Sequence, residues 1–253
     1  MALTSIILAI PGASFTAYYA HVLPEPSWYY EFRSWRGTEC LLVVLGVAGG
    51  LVASLLPRIL LMVPLFGAAA FATAPILKPL VRPIPEGALK DKWDSEVCLQ
   101  STPSTCGVAS VATILRTFGV TVTESQLARE AHSYVGGTEA WYLARAVRQR
   151  GCGARFDFRS GFDPEIPLPA VVGVRLGGVG HFIPILSRGG GQFQIGDPLN
   201  GRETLSRDTL LERYVFTGFY MPIKKVEQNG PANGRQPIRP ETNRTSSAAG
   251  SQR

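Results

Sequence analysis

Apolar positions along this chain follow two different regimes. Through residues 1–77 they run in near-continuous blocks. Residues 1–23 contain no Asp, Glu, Lys or Arg, residues 41–56 form a second block, and residues 59–77 follow after the Pro57-Arg58 interruption. From about residue 96, apolar side chains recur at helical or alternating spacing among charges, as in an ordinary water-soluble domain.

A helix spanning a bilayer needs about 20 predominantly apolar residues. The first and third blocks reach that length and the second is marginal. Residues 1–23 lack the basic start of a secretory signal, and Pro11-Gly12 interrupts them, which favours an uncleaved span over a leader. A buried helical hairpin of a soluble core is the alternative for the other two blocks, but such helices normally show a polar face. The expected layout is a transmembrane region of about three helices over 1–80, a linker over 81–95, a soluble domain over 96–223 and a disordered tail over 224–253. The tail is rich in Asn, Pro, Gly, Ser and Gln, with too little apolar content to build a core. Trp28, Tyr29, Tyr30 and Trp35, between the first two blocks, suit a membrane–water interface, with packing on the protein itself as the alternative. Arg33, Arg36, Lys78, Arg82, Lys90 and Lys92 outnumber Arg58 on the opposite side of three spans. The soluble domain of this multi-pass protein is therefore expected to face the cytoplasm.

Within the domain, helices come first. Residues 106–118 carry small and apolar residues at helical spacing and stop at Gly119. Thr123-Glu124-Ser125-Gln126 is a capping box opening a helix to about Ala131. Thr138 is placed to cap a helix through Arg150, and Ser206 another through about Tyr214. Residues 169–176, 181–186, 192–196 and 216–222 read as strands between glycine-rich turns. Helices followed by strands predict an α+β domain with an antiparallel sheet.

Composition adds little beyond this division. The charged fraction of 17% is depressed by the apolar region. The net charge of +6 fits a membrane surface better than nucleic acid, because no Lys/Arg block with interleaved aromatics occurs. Cys40, Cys98, Cys106 and Cys152 match neither a zinc-site spacing nor a dense disulfide framework, so neither metal nor cofactor is expected.

The chemistry concentrates around Cys106. A loop, Gln100-Ser-Thr-Pro-Ser-Thr, delivers it to the start of a helix, where backbone N–H groups favour the thiolate. Gly107 leaves room for a substrate backbone. The side-chain amide of Gln100 can donate to an oxyanion. Of three histidines, His21 lies in the first apolar block and His132 ends a short helix. His181 opens a strand after Gly177-Gly178-Val179-Gly180, at the mouth of the sheet, where a general base belongs. Asp197, in Gly196-Asp197-Pro198, ends the next strand, and a hairpin through residues 187–191 can bring it beside His181 to orient the imidazole.

The string Gln100-x5-Cys106-Gly107, then Gly180-His181-Phe182, then Asp197-Pro198-x2-Gly201, resembles the peptidase C39 family. These are papain-like cysteine peptidases, best known as N-terminal domains of bacteriocin-exporting ABC transporters, where they cut leader peptides after a Gly-Gly pair. The resemblance covers about half of the chain. It implies a papain-like fold, with Cys106 as nucleophile, His181 as base, Asp197 as the orienting carboxylate and Gln100 as oxyanion donor. Thr105 stands where transporter-linked members often carry Asp. No Gly-x4-Gly-Lys-Ser/Thr pattern marks an ATPase, and the apolar blocks precede the domain. The implied protein is a membrane-anchored cysteine endopeptidase acting on a peptide or protein substrate, with a separate export transporter as a candidate partner. Its rivals are a catalytically silent peptide-binding module, which the joint presence of Cys106, His181 and Asp197 disfavours, and a papain-like acyltransferase, whose Cys-to-His separation is wider.

Overall fold

The structure, a computed structural model, describes residues 2–19, 23 and 26–226. His21, and the expected disordered tail from residue 227 on, lie outside the described residues.

Four helices come first: α1 (Ala2–Tyr19), α2 (Ser27–Arg33), α3 (Leu41–Ser54) and α4 (Met62–Val81). A small hairpin, β1 (Lys92–Asp94) and β2 (Val97–Leu99), leads to α5 (Cys106–Thr117), α6 (Glu124–Glu130) and α7 (Ala140–Arg148). The remainder is β3 (Cys152–Ala154), β4 (Asp157–Phe158), β5 (Ala170–Leu176), β6 (Val179–Gly189), β7 (Gln192–Asp197), β8 (Gly201–Ser206), α8 (Arg207–Arg213) and β9 (Val215–Lys225). Seven strands form one antiparallel sheet in the order β3-β9-β5-β6-β7-β8, with β4 also on β9. The domain is α+β as expected.

Strand alternation sorts the core into two layers. Val171, Met221 and Ile223 face α5–α7, packing on Val108, Ala112, Leu143 and Val147. Their neighbours Ala170, Val172, Val174 and Tyr220 point the other way and gather Ile183, Ile185, Ile195 and Leu210 of α8. Small residues let α5 lie close on the sheet. A Cβ at Gly107 would come within 2.9 Å of Leu143 and 3.3 Å of the Phe182 ring. Space at Gly107 therefore serves helix–strand packing, in addition to the open approach expected for substrate.

The helix ends agree closely with their local chemistry. Thr123 accepts from the Gln126 N–H and Gln126 returns the bond, completing the capping box. Ser206 accepts from the Thr209 N–H. Thr138 does not cap α7: Glu139 holds that position without a side-chain capping bond, and the Thr138 hydroxyl pairs with Ser133 Oγ at 2.7 Å. β8 and the short β1–β4 carry too few alternating apolar residues to announce themselves.

The apolar blocks are helical, with bounds that differ from the expected ones. α1, α3 and α4 pack on one another and have 18, 14 and 20 residues. At 1.5 Å per residue α3 rises only about 21 Å, and Pro57 with a 3-10 turn at Arg58–Leu60 ends it. Among the described residues no single helix is long and apolar enough to cross a membrane. Ser27–Arg33 and Thr38–Ser54 reach that mark only together, bent by 91°. α2 belongs to the domain rather than to such a span. Tyr29 is buried, with its ring 6.3 Å from Trp141, and Glu31 pairs with Arg148 at 2.7 Å. Tyr29 and Tyr30 thus pack on protein, while Trp28 and Trp35 stay exposed.

Candidate active site

Cys106 is the first residue of α5, just inside the surface at 8% exposure. The first backbone N–H groups of a helix have no intrahelical partner and are free to meet an anion. The loop ahead of it is tied down from three sides. The Ser101 N–H and hydroxyl both bind the carboxylate of fully buried Glu124, the former at 2.8 Å. The Gln100 N–H donates to the Pro198 carbonyl at 3.0 Å, joining this loop to the turn after Asp197. Thr105 folds its hydroxyl back onto the Thr102 carbonyl at 3.0 Å.

His181 reaches the same place from the sheet. It lies on β6 opposite Val174 of β5, and the Ser110 hydroxyl, one turn below Cys106, donates to the Phe182 carbonyl at 3.0 Å. That bond fixes the depth of α5 against β6. The imidazole Nε2 sits 3.1 Å from Asp197 Oδ1, leaving Nδ1 for the Cys106 side. Burial alone would pull His181 down. Its hydrogen bonds to Asp197 and Cys106, and the negative charge of both, outweigh burial and hold it up at about 9 against an ordinary 6.5.

Asp197 is fully buried at the end of β7. Burial would raise its carboxyl, but hydrogen bonds overcome that and hold it down at about 2. Besides His181, it accepts from the Leu199 N–H at 2.9 Å, Asn200 Nδ2 at 2.9 Å and the Tyr214 hydroxyl at 2.7 Å. Burial and the Asp197 charge push Tyr214 upward, so it remains a proton donor. Tyr214 and Asn200 are not legible as site residues in the sequence. Asn200 follows the Asp-Pro turn, but Tyr214 reads only as the end of a capped helix.

Cys106 and His181 open onto a cleft of about 460 Å³, lined also by Gly107, Gly136, Gly137, Gly173, Phe182 and Phe219 among others. Gln100 is not among its lining residues. Its Nε2 donates to the Thr102 carbonyl at 3.0 Å, and its buried Oε1 has no partner among the described residues. An amide carries two N–H groups, so one donor remains beyond that bond. The other thiols and His132 stand apart. Cys98 is buried, and burial with Glu124 and Asp91 nearby pushes it up to about 12. Burial likewise raises Cys152, and the His132 ring packs on Tyr142 at 5.0 Å. Among the described residues no group of three or more His, Cys, Asp or Glu is placed to hold a metal ion.

An uncharacterized protein of Methanothermobacter marburgensis is 31% identical over 137 residues, covering 53% of this chain and 92% of that one. Another from Methanothermobacter thermautotrophicus is 30% identical over 135 residues, covering 52% and 90%. Among solved structures, a double glycine motif protease from an AMS/PCAT transporter, in complex with the leader peptide, matches with a TM-score of 0.45 at 22% identity. It covers 54% of this chain and 94% of that one. The peptidase domain of Streptococcus ComA matches with a TM-score of 0.44 at 18% identity, covering 51% and 98%. The model of the Peptidase C39 family matches residues 94–227. That stretch contains Cys106, His181, Asp197 and the whole seven-stranded sheet, and the chain belongs to the Peptidase C39 family.

Proposed function

We propose that the chain is a cysteine endopeptidase in which Cys106 is the nucleophile, His181 the acid–base, Asp197 its positioning residue and Gln100 an oxyanion donor. The observation that carries this reading is the His181–Asp197 contact at 3.1 Å, with His181 and Cys106 lining the same cleft. The Cys106 thiolate attacks the peptide carbonyl carbon. The oxyanion is met by the Cys106 N–H and the Gln100 amide, which turns from Thr102 toward the cleft as substrate binds. Protonated His181 gives its proton to the leaving nitrogen as the C–N bond breaks, leaving a thioester on Sγ. His181 then takes a proton from water, whose oxygen attacks the thioester and returns the thiolate.

Five of the residues lining the cleft are glycines, at positions 107, 136, 137, 173 and 180, so part of its wall is backbone. This supports an extended peptide with small residues at the cut, as in a Gly-Gly leader of a small secreted precursor. A separate export transporter remains the proposed partner. The exposed apolar side chains of α1, α3 and α4, such as Ile7, Val43, Val47, Val63 and Phe66, support anchoring in a membrane. In that arrangement the protein is multi-pass, with the domain on the cytoplasmic side.

The test is incubation of the purified full-length chain with Gly-Gly peptides, with products identified by mass. Cleavage at one bond, absent in a folded Cys106→Ala variant, is the expected result. A folded wild-type chain that binds peptide and never cuts it overturns the reading.

A further inference from the structure

One wall of the cleft comes from outside the residues that match the family. Tyr30, on α2, lines the same cavity as Cys106 and His181, although the family match begins only at residue 94. α2 is held there by the domain itself. Glu31 accepts from Arg148 at 2.7 Å and from the Phe156 N–H at 2.9 Å, and Arg145 donates twice to the Arg33 carbonyl, at 3.1 and 2.6 Å. Arg145 also pairs with Glu39 at 2.8 Å. These bonds hold the segment that follows Tyr30 against the domain.

The ring completes an aromatic row. Its centre lies 5.2 Å from Phe156, 5.3 Å from Phe158, 5.4 Å from Trp141 and 5.9 Å from Phe219. Phe219 stands 5.4 Å from Phe182, the residue after His181. The row therefore runs from beside the reactive pair out to Tyr30. Glu139, the carboxylate among the lining residues, is bound to Tyr134 at 3.1 Å and Lys78 at 3.3 Å. An apolar side chain gains by burial against such rings, whereas a charged one would lose water without finding a partner.

We propose that Tyr30 is a specificity-determining residue: α2 supplies the outer part of an aromatic subsite that takes one large apolar side chain of the peptide. The domain matched by the family holds only part of this subsite. The inference rests on the peptidase reading for its purpose, but not for its measurement, which is binding.

Full-length Cys106→Ala protein is titrated with fluorescein-labelled peptides that carry Gly-Gly at a fixed place. Leu, Ala or Asp is placed at each of the four positions before it. With Tyr30 intact, Leu should bind more tightly than Ala, and Asp more weakly, at one of these positions. Adding Tyr30→Ala should weaken the Leu peptide by about tenfold, the scale of partial loss of an apolar pocket, and the Ala peptide much less. Tyr30→Phe should keep the preference. The inference is overturned by an unchanged Leu preference in Tyr30→Ala, by equal weakening of all peptides, which marks a structural role alone, or by no binding of any peptide. If the preference follows Tyr30 while the wild-type chain cuts nothing, the subsite stands and the peptidase reading falls.

Discussion

Replacing Asp197 by Asn tests the electrostatic core of the site, because it removes a charge while nearly keeping the shape. The rise of His181 from 6.5 to about 9 corresponds to about 3 kcal/mol of preference for the imidazolium. Part of that comes from Asp197 and the rest from Cys106. In the Asn variant the Asp197 share disappears and the pKa of His181 falls well below 9, toward 6.5. The sign follows from linkage: a raised histidine stabilises the fold fully below 6.5, and that contribution is lost as the pH rises through about 9. The variant should therefore lose stability at pH 6, with this part of the deficit vanishing above pH 9. Four donors converge on the carboxylate, and an amide NH2 cannot accept from them, which adds to the loss. The assay is kcat/KM of the full chain on a quenched peptide, from about pH 5 to about pH 10. The wild type should lose activity on an alkaline limb near pH 9. The Asn variant should show that limb displaced toward neutrality, with activity lowered by up to about 10⁴-fold. An alkaline limb that remains near pH 9 in the variant refutes the assignment of Asp197 as the group holding His181 protonated.

Other outcomes follow from the same contacts. Tyr214→Phe removes a hydrogen bond to a buried carboxylate and should cost about 1.5–3 kcal/mol of stability by urea denaturation. Because the low value of Asp197 stabilises the fold above about pH 4 and is lost as the pH falls toward 2, acid unfolding of this variant should begin at higher pH; an unchanged acid transition would contradict that. Gln100→Ala should reduce kcat by about 10²–10³-fold with little change in KM, and a change confined to KM would remove Gln100 from the oxyanion role. In a Cys40→Ser background, a short iodoacetamide pulse near neutral pH should label Cys106 well before Cys98 and Cys152, whose thiols are held in the protonated form. Mapping by mass spectrometry reads the order, and labelling of Cys106 last would contradict the site.

The parts of the site that chain-local chemistry dictates were legible before the fold. Cys106 at a helix start, His181 at the head of a strand and Asp197 at a strand end each follow from patterns within a few residues. So do the Thr123 and Ser206 caps. Contacts set by long-range packing were not legible. Tyr214 reaches Asp197 across 17 positions of chain, and Glu124 holds Ser101 across 23. Tyr30 looked like a membrane-interface aromatic, since apolar patterning cannot distinguish a lipid headgroup layer from a wall of Phe and Trp rings. The second expected span was misjudged in length. Hydropathy read residues 41–56 as one block, whereas α3 ends at Ser54 ahead of Pro57, and its 14 residues are too few.

The central claim, that Cys106 forms a covalent intermediate with a peptide, is tested most directly by trapping it. The full-length chain is mixed with a Gly-Gly peptide, quenched in acid at short times and digested for mass mapping. The account predicts that the peptide's acyl portion appears as a thioester on the fragment containing Cys106, with the amine product released in equal amount, and that neither forms with Cys106→Ala. Cleavage that proceeds without any adduct, and equally well in Cys106→Ala, would contradict it.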